Sequence, residues 1–236
     1  MCESCACKEH GLTRRRVLTG AAAIAGSALW GGTARADDAP PNGIAPGEAL
    51  GRLMEGNARY LADAPLNRDY SKGRAARAAA QYPIAAILSC SDSRVAPELV
   101  FDQAPGELFI VRVAGNFVND DGLASLEYAV KYLGVPLVMV MGHSGCGAVD
   151  AAIKVVEENA SLPGHLNEMI REIRPAVDSA RGAAGDRLAA TIDANVRRAV
   201  QRLETADPIL SSLVGESRIA VSGSRYDIAT GRVSLL

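Results

Sequence analysis

Aromatic side chains are scarce in this chain: 3 Phe, 6 Tyr and 1 Trp amount to 4% of 236 residues. A core must therefore be built largely from Ala, Val, Leu and Ile, which is ordinary for a soluble globular protein. Neither sign of charge is in excess, since 25 Lys and Arg against 27 Asp and Glu leave a net −2, and no basic run extends beyond Arg14-Arg15-Arg16. That balance argues against nucleic acid as a partner, because binding it needs a concentrated basic face. Long apolar runs are missing too. The stretch 17–30 is apolar but broken by Thr and Gly, and it falls short of the ~18 residues of a spanning helix. Cysteine is sparse where a fold could use it: three of the 5 are Cys2, Cys5 and Cys7, and only Cys90 and Cys146 follow. No Cys-x-x-Cys links those two, so thiol redox chemistry lacks its usual signature.

What is present first is an export signal. Thr13-Arg-Arg-Arg-Val-Leu18 resembles a twin-arginine motif, followed by the Gly/Ala-rich apolar stretch and an Ala34-Arg-Ala36 cleavage site. Residues 1–36 are therefore read as a signal peptide, 37–43 as a Pro/polar linker and 44–236 as the working domain. The expected location is the periplasm or beyond the cytoplasmic membrane, with no membrane anchor left after processing. Cys2, Cys5, Cys7 and His10 have metal-ligand spacing but lie in the segment that cleavage discards.

The remaining length suits one α/β domain. Apolar, β-branched runs at 84–88, 108–113, 137–141 and 219–221 read as strands. Helical periodicity falls at 45–61, 71–80, 121–133, 147–158, 165–180 and 189–205. Leu50, Leu53, Met54, Ala58 and Leu61 make the first of these amphipathic, with a face suited to packing on a partner subunit. Glu168, Arg171, Glu172 and Arg174 mark a solvated helix face, and His165 reads as a surface residue at that helix start. The C-terminus reads as a strand and a hairpin turned at Thr230-Gly231, with the last strand on an edge. Alternation of this kind predicts an α/β fold: a parallel-core β-sheet flanked by helices, with extended N-terminal helices.

Two of the strand runs stop abruptly at chemistry. Ile84-Ala-Ala-Ile-Leu88 is followed by Ser-Cys90-Ser-Asp92-Ser-Arg94, and Leu137-Val-Met-Val-Met141 by Gly-His143-Ser-Gly-Cys146-Gly147. Ligands of open α/β sheets sit outside the carboxyl ends of the strands, so Cys90, His143 and Cys146 converge if the two strands are neighbours. Two thiolates and an imidazole suit zinc, and three protein ligands leave a fourth tetrahedral position for water, as in catalytic sites. Asp92 and Arg94 then place a carboxylate and a rigid guanidinium fork beside that position. Taken singly, each cysteine could be a small buried hydrophobe and the Asp92/Arg94 pair a surface ion pair.

Cys90-Ser-Asp-Ser-Arg94, Pro105-Gly-Glu-Leu-Phe-Ile-Val-Arg112 with Ala114-Gly-Asn116, Leu126-Glu-Tyr-Ala-Val130 and Gly142-His-Ser-Gly-Cys-Gly147, in this order and spacing, resemble the successive motifs of β-class carbonic anhydrases. The resemblance spans roughly residue 44 to the C-terminus. It implies one zinc per subunit held by Cys90, His143 and Cys146, with Asp92 and Arg94 as catalytic dyad. It further implies Gln81, the Gly147 backbone N–H, Phe109 and Tyr128 as substrate-pocket residues. The implied reaction is hydration of carbon dioxide to bicarbonate and a proton by hydroxide formed on the metal. The implied assembly is a homodimer or dimer of dimers, with N-terminal helices laid over the neighbour and Tyr128 at the subunit boundary. One branch of that family closes its site by swinging the dyad Asp onto zinc, supported by bicarbonate beside a Trp three residues before the first cysteine. That position is Ile87 here, which cannot donate a hydrogen bond to a buried anion even though Arg112 is present; Asp92 is expected to stay off the metal.

Three other readings use the same residues: hydrolysis of carbon disulfide or carbonyl sulfide on the same zinc, a thiol redox pair of Cys90 and Cys146, and a zinc-bearing bicarbonate sensor without catalysis.

Overall fold

The computed structural model describes residues 43–236 apart from 67, 68 and 72. The stretch expected to be an export signal, with Cys2, Cys5, Cys7 and His10, and nearly all of the expected linker lie outside the described residues.

Strands β1 (Ala85–Ser89), β2 (Leu108–Arg112), β3 (Leu137–His143), β4 (Ala220–Tyr226) and β5 (Val233–Leu235) form one sheet in the order β2-β1-β3-β4-β5. The first four are mutually parallel, and β5 runs antiparallel to β4 on the edge. Every residue of β1 and β3 is buried, as expected of central parallel strands covered on both faces, which read as unbroken apolar runs. The pleat then sorts the side chains. Ala86, Leu88, Val138 and Val140 enter one core, whereas Ala85, Ile87, Leu137, Met139 and Met141 enter the other.

Eight helices are formed among the described residues: α1 (Pro46–Leu61), α2 (Arg74–Ala79), α3 (Pro97–Val100), α4 (Asp120–Tyr132), α5 (Gly147–Glu158), α6 (Leu166–Ser179), α7 (Arg187–Glu204) and α8 (Leu210–Gly215). Several starts are visible in the chemistry of the chain. Asn119 caps α4 by accepting from the Gly122 N–H at 2.9 Å, and Asp186 caps α7 by accepting from the Leu188 N–H at 2.9 Å, each satisfying an otherwise orphaned donor. Leu126, Ala129, Val196, Ala199 and Leu203 of α4 and α7 fill the first core together with Leu210 of α8. His165 sits exposed at the start of α6, as its sequence context predicts.

Part of the apolar face of α1 is covered within the chain: Ala49 and Leu53 are buried in its own second core, while Ala58 and Leu61 remain exposed. Asn57 locks the helix there, donating to Val100 O at 3.1 Å and Gly231 O at 2.9 Å and accepting from the Val233 N–H at 3.0 Å. The fourth strand continues to Tyr226 instead of stopping at 221, through a Ser-Gly-Ser segment where Val196 and Val200 of α7 pack closely over Gly223. The short helices α3 and α8 have too few residues to show a period.

Candidate metal centre

The order of the sheet makes β1 and β3 neighbours, so both strand ends open at one point. Cys90, His143 and Cys146 are all buried, and their ligand atoms lie within 4.8 Å of one another. The two sulfurs are 3.9 Å apart. Thiolates on one tetrahedral zinc, with Zn–S of about 2.3 Å, stand about 3.8 Å apart. His143 Nδ1 lies 3.0 Å from Ser144 O; that contact makes Nδ1 the protonated nitrogen and turns the Nε2 lone pair toward the sulfurs. Nε2 is buried with no hydrogen-bond partner among the described residues. A buried, orphaned acceptor beside two thiols is what a metal would satisfy. The residues present therefore fit zinc.

Proton affinities within the cluster are strongly redistributed. The hydrogen bond from Cys146 and that from the Gly115 N–H, with the His143 ring close by, outweigh burial and pull the Cys90 thiol well below its ordinary value. Cys146 is pushed well up, because its proton is held against Cys90 Sγ and the group is buried. Burial disfavours the His143 imidazolium, but the Cys90 sulfur beside it prevails and its pKa rises. A site that already stabilises a thiolate is prepared for a cation.

Asp92 borders this cluster. One of its oxygens is 3.9 Å from His143 Nε2. Arg94 grips the carboxylate with two parallel bonds, Nε to Oδ1 at 2.9 Å and a terminal nitrogen to Oδ2 at 2.6 Å, while its backbone N–H adds a third at 2.9 Å. These bonds hold Asp92 well below the usual carboxylate range. Arg94 remains 57% exposed at its side chain against 16% for Asp92, so the pair presents its carboxylate inward and its guanidinium to water.

Arg112 and Gly115 of the motif run, together with Asn195, which carries no motif, hold this loop in place. The Arg112 guanidinium donates to Cys90 O at 2.9 Å and to Asp92 O at 2.6 Å, pinning the turn that carries both. The Gly115 N–H donates to Cys90 Sγ at 3.2 Å, and Asn195 on α7 donates to Gly115 O at 2.7 Å. The Ala114-Gly-Asn116 motif pointed at the glycine. A lone Asn in a helix gives no such signal.

The remaining sequence candidates divide. Gly147 is the first residue of α5, directly after the ligand Cys146. Phe109 stands opposite Ala86 at the beginning of β1, four residues before Cys90, a separation of about 13 Å along a strand. Tyr128 packs on Phe109 with ring centres 6.4 Å apart and on Tyr132 at 5.4 Å, and it is 47% exposed. Gln81 is exposed ahead of β1. These three lie toward the amino ends of the strands.

Fold and site together define an α/β protein with a three-ligand, catalytic-type metal centre at the carboxyl ends of two adjacent parallel strands. The family model described as "Carbonic anhydrase" matches residues 85–233. Among curated proteins, the chain is 35% identical over 191 residues to "Carbonic anhydrase" of Mycolicibacterium smegmatis, covering 80% of this chain and 93% of that one. It is 36% identical over 191 residues to "Carbonic anhydrase 2" of Mycobacterium tuberculosis strain H37Rv, covering 80% and 92%. Among solved structures, the Coccomyxa β-carbonic anhydrase in complex with acetazolamide superposes with a TM-score of 0.62 at 30% identity, covering 79% of this chain and 86% of that one. The chain belongs to the β-class carbonic anhydrase family.

Proposed function

We propose that this protein is a zinc-dependent carbonic anhydrase that interconverts carbon dioxide and bicarbonate. The observation that carries the reading is the three buried donors within 4.8 Å of one another, with the Asp92 carboxylate at their edge. Cys90 Sγ, Cys146 Sγ and His143 Nε2 are the atoms that would hold zinc, and zinc bound there supplies the Lewis acidity that brings water's pKa toward neutrality. Asp92, gripped by Arg94, can only accept; it orients the attacking water by taking a hydrogen bond from it. Arg94 keeps that carboxylate charged and fixed. The backbone N–H of Gly147, at the positive start of α5, faces developing negative charge on substrate oxygen. Carbon disulfide or carbonyl sulfide hydrolysis is not favoured, since the curated relatives are named for the carbonate reaction. Hydration rates with carbon dioxide, measured beside turnover of the two sulfur gases, test the assignment: rapid hydration is expected, and turnover of a sulfur gas alone would reject it.

Finer features belong to the same proposal. Phe109, Tyr128 and Gln81 lie away from their own chain's Cys90, and the exposed pair Tyr128 and Tyr132 supplies an apolar contact surface; we assign these residues to a neighbouring subunit's substrate pocket, in a homodimer or dimer of dimers. Mixing a Tyr128→Ala chain with a Cys90→Ser chain should then regain activity through one intact composite site, and no recovery would place Tyr128 outside the pocket. Asp92 stays off the metal, supported by its two-point grip on Arg94 and by the commitment of Arg112 to two backbone carbonyls. Bicarbonate should therefore not inhibit cooperatively. Export by the twin-arginine route rests on Arg14 and Arg15; replacing both with Lys should leave the protein in the cytoplasm, and unchanged export would refute the route.

A further inference from the structure

Gly115 joins the first ligand to a helix that begins far downstream. Its N–H meets Cys90 Sγ at 3.2 Å and its carbonyl receives Asn195 Nδ2 at 2.7 Å, across 80 residues of sequence. Gly115 adopts φ 87, and a Cβ there would meet Ile173 Cδ1 at 2.6 Å. Glycine is favoured at that torsion, and it has no side chain to hold it. The hold comes instead from Asn195, which is 2% exposed and so makes its hydrogen bond out of competition with water.

An N–H donated to a thiolate takes up part of its charge, and such charge-assisted bonds are the stronger ones. Two thiolates on one metal give it more electron density than imidazoles would, which opposes the acidity the reaction needs. We propose that Asn195 is a positioning residue for the metal centre: by fixing the Gly115 carbonyl it keeps the Gly115 N–H on Cys90 Sγ and so limits the charge this thiolate passes to the metal. The inference rests on the zinc reading above and deepens it. Asn195 touches neither metal nor substrate; it acts through Gly115.

The test uses two variants of the full-length holoenzyme. Asn195→Leu removes the donor at similar size, and Asn195→Asp keeps the shape while placing an acceptor against the carbonyl, so one can serve if the other does not fold. Each is loaded with cobalt(II) in place of zinc, and the thiolate-to-cobalt charge-transfer band is recorded. A shift of that band to longer wavelength is expected at unchanged cobalt stoichiometry, because the unbonded thiolate is the better donor. In the zinc forms, kcat/KM for hydration should fall roughly 10–100-fold, as for other supporting partners of metal ligands, with the midpoint of its pH profile displaced upward. A band and a midpoint that both stay at their wild-type positions, even with a lowered Tm, would make Asn195 a structural tie between α7 and the loop and overturn the proposal. Failure of the wild-type protein to bind cobalt or hydrate carbon dioxide would instead sink the functional reading itself.

Discussion

The two strand ends that meet at the metal centre are built by different means. At the end of β3, its last residue His143 and Cys146 lie three residues apart, and their supports are close by: Ser144 O receives His143 Nδ1, Ser144 N–H donates to Tyr226 O at 2.9 Å on the paired strand, and α5 starts immediately after Cys146. After β1, a single ligand, Cys90, is held by groups from far along the chain: Arg112 on its carbonyl, Gly115 on its sulfur, and Asn195 behind Gly115. The β1 end also carries Asp92 and Arg94. One side of the site is thus a local turn that supplies ligands, and the other is a tertiary assembly that supplies one ligand and the polar machinery. In the proposed mechanism metal binding draws on both ends, and turnover more on the second.

Removing a ligand from either end should erase that distinction. Cys90→Ser, His143→Ala and Cys146→Ser are each expected to lose zinc and bring hydration to the background rate, because an incomplete set binds the metal weakly; elemental analysis showing full zinc occupancy in any of them would contradict the assignment. Changes confined to the dyad should instead split the two properties. Asp92→Asn and Arg94→Ala should retain zinc while kcat falls by about 10²-fold or more, the usual scale for a positioned proton-handling group, and wild-type rates would make the pair structural.

Glycines on the two sides sharpen the contrast in stability. Gly115→Ala combines a positive φ with a clash against Ile173, so overpacking of about 1–3 kcal/mol is expected on top of backbone strain. Gly145, at φ 64, has no atom within 4 Å of a Cβ placed there; its Ala variant should cost only the strain, about 1–2 kcal/mol. Thermal unfolding in which Gly145→Ala is the more damaging change would reverse the order. The smallest effect lies away from the site. The backbone N–H and hydroxyl of Thr230 hold the Asp227 carboxylate below its ordinary pKa at the β4–β5 turn. Since the folded value lies below the unfolded one of about 3.9, this stabilisation is complete above that pH and fades as pH falls through the folded value. Asp227→Asn should therefore lower stability slightly at neutral pH, leave strongly acid pH nearly unaffected, and so flatten the acid limb of the stability curve measured by thermal unfolding.

The same contrast explains what the sequence made legible. Ligands fixed by a local turn after an apolar strand announce themselves as a motif, and so His143, Cys146 and the Cys90-to-Arg94 run could be read from spacing alone. Central strands were equally plain, because burial on both faces leaves an unbroken apolar run at 85–89 and 137–141. Long-range supports were not. Asn195 and Asn57 are single polar residues inside helices, and only the folded chain brings them to Gly115 and to the Val100 and Gly231 carbonyls. The end of β4 escaped because its small residues were shaped by the close packing of α7 and not by strand propensity. The pattern of α1 is limited in a related way: amphipathicity says that a face is covered, and not by which chain.

The central claim is that Cys90, His143 and Cys146 hold one zinc on which carbon dioxide hydration depends. Stripping the purified protein with a chelator and titrating zinc back while following hydration by stopped flow tests it directly. Activity should disappear with the metal and return in proportion to added zinc, reaching its plateau at one equivalent per chain. Hydration that persists undiminished in the zinc-free protein would contradict the account.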